Sequence, residues 1–522
     1  MAEHRVVVVG AGVAGLVSGL LLAARGLDVT IVEAADGPGG KMRPLTIDGQ
    51  SVDAGPTVFT MRWVFDELLD QVGSSTEQAL PALQPLSLLA RHAWRGDGSR
   101  LDLHADRERS ADAIAAWSSP EEGRRYLAFC KEAARVYREL EGPHIRSQRP
   151  GLARMIADLG PRGLAVLAGL GPAATMAGAL SRRFRDPRLQ QLFGRYATYC
   201  GASPWQAPAT LMLVAHVEQE GVWAVHGGMA ALAQALTDLF VARGGRVRWG
   251  AACASIEHAQ GQVRGVRLAS GETLAADAVV YNGDVSALGS LLGSQRASAP
   301  PPVPPAGRSL SAITWALRAP ATGFPLVRHN VFFDDDYASE FDDVFQRRRL
   351  PRRGTVYVCA QDRDDAAVAA QRDERLLVLV NAPADGDTRA FNDTETEACQ
   401  SRCMALLRQC GLTLDLAQPA VVRRTPNDFQ RLFPGSGGAL YGPATHGWMA
   451  LFRRASSTAT GLQGLFLAGG SVHPGPGVPM AAMSGRLAAA ALMDRLGSTR
   501  RSHRAATSGG TSTPSATTAA MR

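Results

Sequence analysis

The residues from Arg5 to Val9 form an apolar run behind a single charge, the pattern of a strand buried on both faces. Gly12 to Arg25 then carries apolar residues nearly all round a helical wheel, which predicts a buried helix. Asp28 to Val32 repeats the strand pattern, so the chain opens with one βαβ unit. Strand character returns at Arg246 to Trp249 and Val263 to Leu268, turns at Ser270-Gly271, and resumes from Leu274 to Tyr281. A last strand, Leu465 to Ala468, runs into Gly469-Gly470. Between these blocks the texture changes. Arg109 to Leu239 reads as helical, Ser309 to Val380 as strand-rich, and a helix follows near Thr394 to Gln409.

A chain of 522 residues is too long for one compact core, so two lobes with a cleft between them are expected. The pattern predicts a cofactor domain built from three separated parts, 1–70, 226–299 and 461–497. A helical substrate- or membrane-facing region at 71–225 and a substrate-binding sheet with helices at 300–460 make the second lobe. The proline run Pro300-Pro301-Pro302-Val303-Pro304-Pro305 reads as a stiff linker. The Ser/Thr/Ala/Gly-rich residues 498–522 read as a disordered tail.

Composition narrows the function classes. With 46% hydrophobic and 20% charged residues the chain has the make-up of an ordinary folded protein. Part of its formal charge of +7 sits at Arg495, Arg500, Arg501 and Arg504. No basic helix, zinc spacing or aromatic-basic interleaving suits nucleic acid, so an anionic lipid surface is the better partner for that charge. Seven scattered cysteines without a Cys-x-x-Cys pair point to a reducing, cytoplasmic setting, and Cys399 and Cys403 have no companions to complete a metal site. The N-terminus is interrupted by Gly10, Gly12 and Gly15 and is read as structure, not as a secretory signal.

Candidate chemistry begins at the first loop. Gly10-x-Gly12-x-x-Gly15 lies between a strand and a helix, where missing side chains let a pyrophosphate approach backbone N–H groups at the positive helix end. Glu33 closes the second strand, placed for ribose hydroxyls. Gly19, Gly26 and Gly39-Gly40-Lys41 extend the series, which resembles the flavoprotein oxidoreductases of the glutathione-reductase-like superfamily and favours FAD. No second glycine fingerprint supports a nicotinamide site. At the far end, Gly469 to Met480 precedes a small-residue helix from Ala481, whose positive end would stabilise a reduced, anionic flavin. His473 in that loop is assigned no role, since a lone histidine there more often serves hydrogen bonding.

With Asp53-Ala54-Gly55-Pro56-Thr57, Gly221-Val222-Trp223, Gly227-Gly228-Met229 and Asn282-Gly283-Asp284, these motifs resemble the phytoene desaturase family over nearly the whole chain to about Leu496. Thr60-Met61-Arg62, Arg91-His92-Ala93-Trp94, Asp186-Pro187-Arg188-Leu189 and Gln191 to Tyr199 resemble its hydroxyneurosporene/methoxyneurosporene desaturase subgroup. The resemblance implies an α/β fold: a Rossmann-like, glutathione-reductase-like FAD-binding domain with a discontinuous α+β substrate lobe. It implies FAD contacts at Gly10, Gly12, Val13, Ala14, Gly15, Glu33, Gly40, Lys41, Gly55, Pro56, Thr57, Gly469, Gly470, Val478, Pro479 and Met480. It also places Cys253 where the backbone grips the adenine, as a positional marker and not a nucleophile.

The implied reaction inserts a C3–C4 double bond into acyclic 1-hydroxy or 1-methoxy carotenoids, with quinone or oxygen taking the electrons. Hydride leaves easily beside a polyene, because the remaining positive charge spreads along the chain; water or a weak base can then take the proton. Arg195, Tyr196 and Tyr199 form a cluster of which one either hydrogen-bonds the substrate's oxygenated end or sits over the flavin, unless the three line a helix interface. Gly151 to Leu180, followed by Arg182, Arg183 and Arg185, either dips into lipid from the inner face of the membrane or forms a buried helix pair. Rival readings are another polyene desaturase, isomerase or saturase, an amine oxidase, and a prenyl-escort protein without redox work. No cysteine follows Cys410 to link a flavin as in many amine oxidases, and intact glycines with Glu33 speak against an escort.

Overall fold

The computed structural model describes residues 4–507 except 97, 149–151, 172–173, 364–372 and 415–420. Arg5–Val9 and Asp28–Val32 pair in parallel at the centre of a five-stranded sheet. The order is Leu465–Leu467, Ala278–Tyr281, Arg5–Val9, Asp28–Val32, Arg246–Arg248, all parallel. Strands buried on both faces need cover on both sides. Every residue of the Val13–Ala23 helix is buried, as its all-round apolar pattern requires. It packs between the sheet, the Met229–Ala242 helix and the C-terminal helix. On the other face lies an antiparallel sheet of Cys253–Ala259, Gln262–Leu268 and Thr273–Ala275.

The second lobe is built on a seven-stranded mixed sheet. Its order is Val421–Arg424, Ser311–Ala319, Glu374–Ala382, Val356–Ala360, His329–Phe333, Leu88–Trp94, Arg100–His104. The last two strands come from a part of the chain whose pattern gave no strand signal. Leu88–Trp94 is held by parallel pairing with His329–Phe333, from Asn330 opposite Arg91 to Phe333 opposite Trp94. Leu88 to Trp94 shows no apolar alternation because the strand is buried along most of its length, and three of its side chains are polar with internal partners: Arg91 with Asp102, His92 with the Leu101 carbonyl, Trp94 with Gln191. Helices Arg107–Trp117, Pro120–Leu140, Met176–Arg183 and Pro187–Gly194 pack beside it in a core rich in aromatic pairs, among them Phe129, Phe184 and Phe193.

One further expectation meets a different outcome, and the stretch from 151 to 180 takes the form of one of its two alternatives, a helix pair. The helix beginning at Val478 runs to Thr507, ten residues into the segment whose composition reads as a disordered tail. Arg500, Arg501, Ala505 and Ala506 are good helix formers, so residues 498–507 extend an existing helix without a new nucleus. Residues 508–522 lie outside the described residues. The stretch from 151 to 180 forms two helices: Leu152–Leu170, broken at Gly160 before Pro161, and Met176–Arg183; Gly151, Pro172 and Ala173 lie outside the described residues. Leu159, Val166, Leu170, Met176 and Leu180 are buried in the helical core, while Leu164 is exposed. Arg183 is paired with Glu132 at 2.6 Å rather than free. No helix among the described residues is long and apolar enough to cross a membrane.

One motif pair proves to be structural. Asp53 ends the Gln50–Asp53 strand, and its carboxylate accepts the Met229 N–H at 2.8 Å, capping the Met229–Ala242 helix from outside that helix. A side chain on Gly228 would meet that carboxylate at 2.5 Å, which explains the glycine. Gln361 clamps the same residue from the seven-stranded sheet, exchanging two 2.9 Å hydrogen bonds with the Asp53 backbone. Asp53→Ala is expected to cost about 2 kcal/mol, because a buried helix start loses its charged acceptor. The check is a lowered thermal midpoint at pH 7; an unchanged midpoint would show that the cap is dispensable.

Candidate active site

Gly10 ends the first strand with φ of 101°, a left-handed conformation that only glycine adopts without strain. The turn brings Gly12 to the start of the Val13–Ala23 helix, which has no side-chain cap and no acid in its first turn. Its first N–H groups therefore lack partners within the helix and suit an anionic group. Gly15 is needed for a different reason. A Cβ there would lie 2.0 Å from the Gly10 carbonyl oxygen, so helix and strand end could not pack. Asn282 steadies the loop by donating to the Gly10 carbonyl at 3.1 Å, and its side chain also lies against Gly12 and Gly469. The three separated parts of this domain meet at that one amide.

Glu33 follows the second strand. Its two carboxylate oxygens accept the Ala11 N–H at 2.7 Å and the Ala35 N–H at 2.8 Å. This fixes the carboxylate at the cavity wall with lone pairs to spare for hydroxyl groups. A Cβ on Gly40 would lie 3.3 Å from the Gly12 Cα, so the two glycine loops sit backbone to backbone. The cradle fits a dinucleotide diphosphate and ribose.

One continuous cavity of about 790 Å³ runs from Glu33 and Cys253 past Gly10 to Ala14 and Gly55-Pro56-Thr57, and on to the seven-stranded sheet at Tyr357 and Asn381. Of the seventeen positions expected to meet the cofactor, all line it except Gly15, which acts behind the wall. Lys41 donates to the Leu440 carbonyl at 2.6 Å and lies over the Phe433 ring; burial pulls its pKa down, with Asp284 opposing. Burial pushes the Cys253 thiol up to about 11, so it stays protonated at neutral pH, in keeping with a positional rather than a nucleophilic role.

Beyond the loops the lining turns apolar, with Leu211, Leu213, Val214 and Val217 on one side and Leu377 and Leu379 on the sheet side. A polar group closes the wall beside Thr57. Arg195 and Tyr199 belong to it, with the guanidinium 5.5 Å from the Tyr199 ring and 5.3 Å from the Tyr357 ring. Tyr196 does not reach the main cavity: it is buried in the helical core, and its hydroxyl donates to Glu218. Tyr199 donates to the other Glu218 oxygen at 3.1 Å, and burial holds the Glu218 carboxyl above its ordinary range. Arg195, Tyr196, Tyr199 and Glu218 also enclose a second void of about 20 Å³ with His329. Behind the sheet side, Glu340 accepts the Thr355 N–H and hydroxyl, both at 2.8 Å, and the Asn381 amide at 2.7 Å.

Sequence reasoning passed over Arg454. Its guanidinium is buried behind the C-terminal loop and donates to the carbonyls of Gly470 and Tyr441 at 3.0 Å and of Pro443 at 2.9 Å. Burial lowers its pKa to about 10, so it keeps its charge at neutral pH beside the loop expected to face the flavin. Only its place after folding marks it among the many arginines. His473, left without a role, lies with its ring 4.8 Å from His144 and bonds the Ser147 carbonyl at 3.0 Å.

The model of the flavin-containing amine oxidoreductase family matches residues 13–493. The chain is 63% identical to hydroxyneurosporene desaturase of Rubrivivax gelatinosus, over 99% of this chain and 98% of that protein. It is 43% identical to hydroxyneurosporene desaturase of Cereibacter sphaeroides, over 95% and 99% respectively. Among solved structures, putrescine oxidase shares the fold, with a TM-score of 0.60, 15% identity and coverage of 94% of this chain and 99% of that one. The cofactor that the glycine cradle fits is accordingly FAD. The chain belongs to the flavin-containing amine oxidoreductase family, in the branch that contains the hydroxyneurosporene desaturases.

Proposed function

We propose that the protein is an FAD-dependent desaturase that introduces the C3–C4 double bond into acyclic carotenoids bearing a 1-hydroxy or 1-methoxy group. The observation that carries this is the cavity: one tunnel joins a dinucleotide cradle to apolar walls that are interrupted by a polar cluster at Arg195, Tyr199 and Tyr357. The likeness to relatives named hydroxyneurosporene desaturase supports the same reading. When bound, FAD supplies hydride acceptance, with its electrons passing on to a quinone or oxygen. The residues of the chain then have four tasks. Leu211, Leu213, Val214, Val217, Leu377 and Leu379 hold the polyene and exclude water. Gly10 to Ala14 and Glu33 anchor the cofactor. Arg454 and the N-terminus of the helix from Val478 place positive potential at the C-terminal loop. Arg195 and Tyr199 give the tunnel its polar wall. A carotenoid is delivered from lipid, which makes an anionic membrane surface the partner that the basic chain suits.

The test supplies purified FAD-loaded protein with hydroxylated and plain acyclic carotenoids in anionic liposomes. The expected result is a product absorbing further to the red from the hydroxylated substrate, with protein pelleting alongside the vesicles. A shift to the blue would mark a saturase, no reaction with either carotenoid would overturn the desaturase reading, and protein remaining in the supernatant would overturn the membrane partner.

A further inference from the structure

The proposed substrates carry their oxygen on C1 and react at C3–C4. Three bonds separate that oxygen from C3, so with bonds of about 1.5 Å each it lies within about 4 Å of the reacting carbon. Whatever reads the oxygen must therefore stand beside the flavin and cannot sit at the distant end of the tunnel. Thr57 meets this condition, since it follows Gly55-Pro56 in the loop expected to contact the flavin and lines the cavity.

Thr57 is also the exposed end of a chain of hydrogen bonds. Its hydroxyl lies 2.7 Å from the Tyr357 hydroxyl, which in turn lies 2.7 Å from His329 Nδ1. Tyr357 stands in the Val356–Ala360 strand and His329 opens the neighbouring strand, so the sheet fixes both rings, 6.1 Å apart and 17° from parallel. Burial holds His329 neutral, with its pKa down at about 3; either ring nitrogen can then carry the proton, and because Nε2 is buried with no hydrogen-bond partner among the described residues, the Nδ1 tautomer is favoured. The Cys359 thiol lies within reach of both hydroxyls as a weak further partner, and the three stronger groups have two settings. With the proton on His329 Nε2, Tyr357 donates to Nδ1 and Thr57 donates to Tyr357, leaving a Thr57 lone pair facing the cavity. With the proton on Nδ1, every bond reverses, and Thr57 presents its O–H.

We propose that Thr57, polarised through Tyr357 and His329, is the specificity-determining residue that hydrogen-bonds the C1 oxygen of the substrate. The inference rests on the desaturase reading above and adds to it a recognition group that can switch polarity. A tertiary alcohol donates or accepts, whereas a methyl ether only accepts, and the two settings of the chain serve both. Arg195, with its guanidinium over the Tyr357 ring, holds that ring in place and is a positioning residue. A carotenoid without the oxygen leaves the Thr57 hydroxyl facing an apolar chain, and an unmet polar group disfavours that substrate.

The experiment compares kcat/KM for a 1-hydroxy and a plain acyclic carotenoid in the FAD-loaded wild type and in the Thr57→Val, Thr57→Ser and Tyr357→Phe variants. FAD content and the visible flavin spectrum are recorded for each. Removing one hydrogen bond is expected to lower the hydroxylated-to-plain ratio about tenfold in Thr57→Val. Thr57→Ser restores it, and Tyr357→Phe falls between, because Thr57 keeps its hydroxyl but loses its fixed direction. An unchanged ratio in Thr57→Val, or a Thr57→Ser variant that behaves like it, overturns the proposal. If Tyr357→Phe fails to fold, the valine and serine pair at position 57 still decides. Failure of the wild type to convert either carotenoid strikes instead at the desaturase reading.

Discussion

Gly15→Ala is expected to weaken flavin retention severely. The added Cβ would lie 2.0 Å from the Gly10 carbonyl oxygen, well inside contact distance, and the neighbour is backbone that cannot rotate aside. The strand end must shift, and with it the Gly10 carbonyl that Asn282 holds, whose side chain lies against Gly12 and Gly469. Overpacking of this kind costs about 1–3 kcal/mol where side chains can adjust. Here the strain falls on the anion-binding groups themselves, so an affinity loss of about a hundredfold is expected. The measurement is bound flavin per protein chain after purification and after incubation with excess FAD. Gly37→Ala is the control, since a Cβ there meets nothing within 4 Å. A Gly15→Ala protein that stays fully yellow would contradict the close-packing account.

Acid is expected to destabilise the protein well before its carboxylates are generally protonated. Burial pulls the pKa of His92, His144 and His329 down to about 3, from an ordinary value near 6.5. Below pH 6.5 the unfolded chain binds a proton at each of these positions while the folded chain does not, so stability is lost as pH falls through 6.5 toward 3. Each histidine contributes a slope of about 1.4 kcal/mol per pH unit, and the three together about 4 kcal/mol. Asp53, Glu218 and Glu340 act in the opposite sense. Burial raises their folded-state pKa values, so they take up protons first in the folded protein and offset part of the loss. A substitution isolates the histidine effect. His92 stacks on Phe333 in an aromatic cluster, and His92→Phe removes one titrating site from it. Thermal midpoints at pH 7, 6 and 5 should converge between variant and wild type, or cross, as pH falls. A constant gap at all three values would mean that His92 is not held neutral.

The cofactor half of the site was legible because its signals are local. Gly10, Gly12, Gly15 and Glu33 lie within one strand–loop–helix–strand unit; Gly10 and Gly15 answer backbone needs that no other residue meets, and a side chain on Gly12 would crowd the Asn282 amide. The substrate half was less so. Arg195, Tyr196 and Tyr199 were read as one cluster, yet only the first and third face the main cavity. The segment folds as a 3-10 helix over Arg195–Cys200, where residues three apart share a face, and Tyr196 and Tyr199 converge on Glu218 with Tyr196 the deeper. Glu218 and Arg454 gave no signal at all, since an isolated charge in sequence carries no mark of the burial that later makes it matter. The strand Leu88–Trp94 carries no alternation to announce it, and it is held between the nearby Arg100–His104 strand and His329–Phe333, which lies far along the chain.

Leu465–Leu467 is one of the two edge strands of the five-stranded sheet, and the loop that follows lies against Asn282 near the first turn. The nucleotide site is therefore unfinished until nearly the whole polypeptide has left the ribosome. During synthesis the first βαβ unit is flanked once Arg246–Arg248 and Ala278–Tyr281 have been made, but the free edge of Ala278–Tyr281 and the apolar Val13–Ala23 helix stay uncovered until the last strand and the C-terminal helix arrive. A chain that ended before Leu465 would lack the edge strand, the loop after it and the C-terminal helix, and is expected to purify colourless.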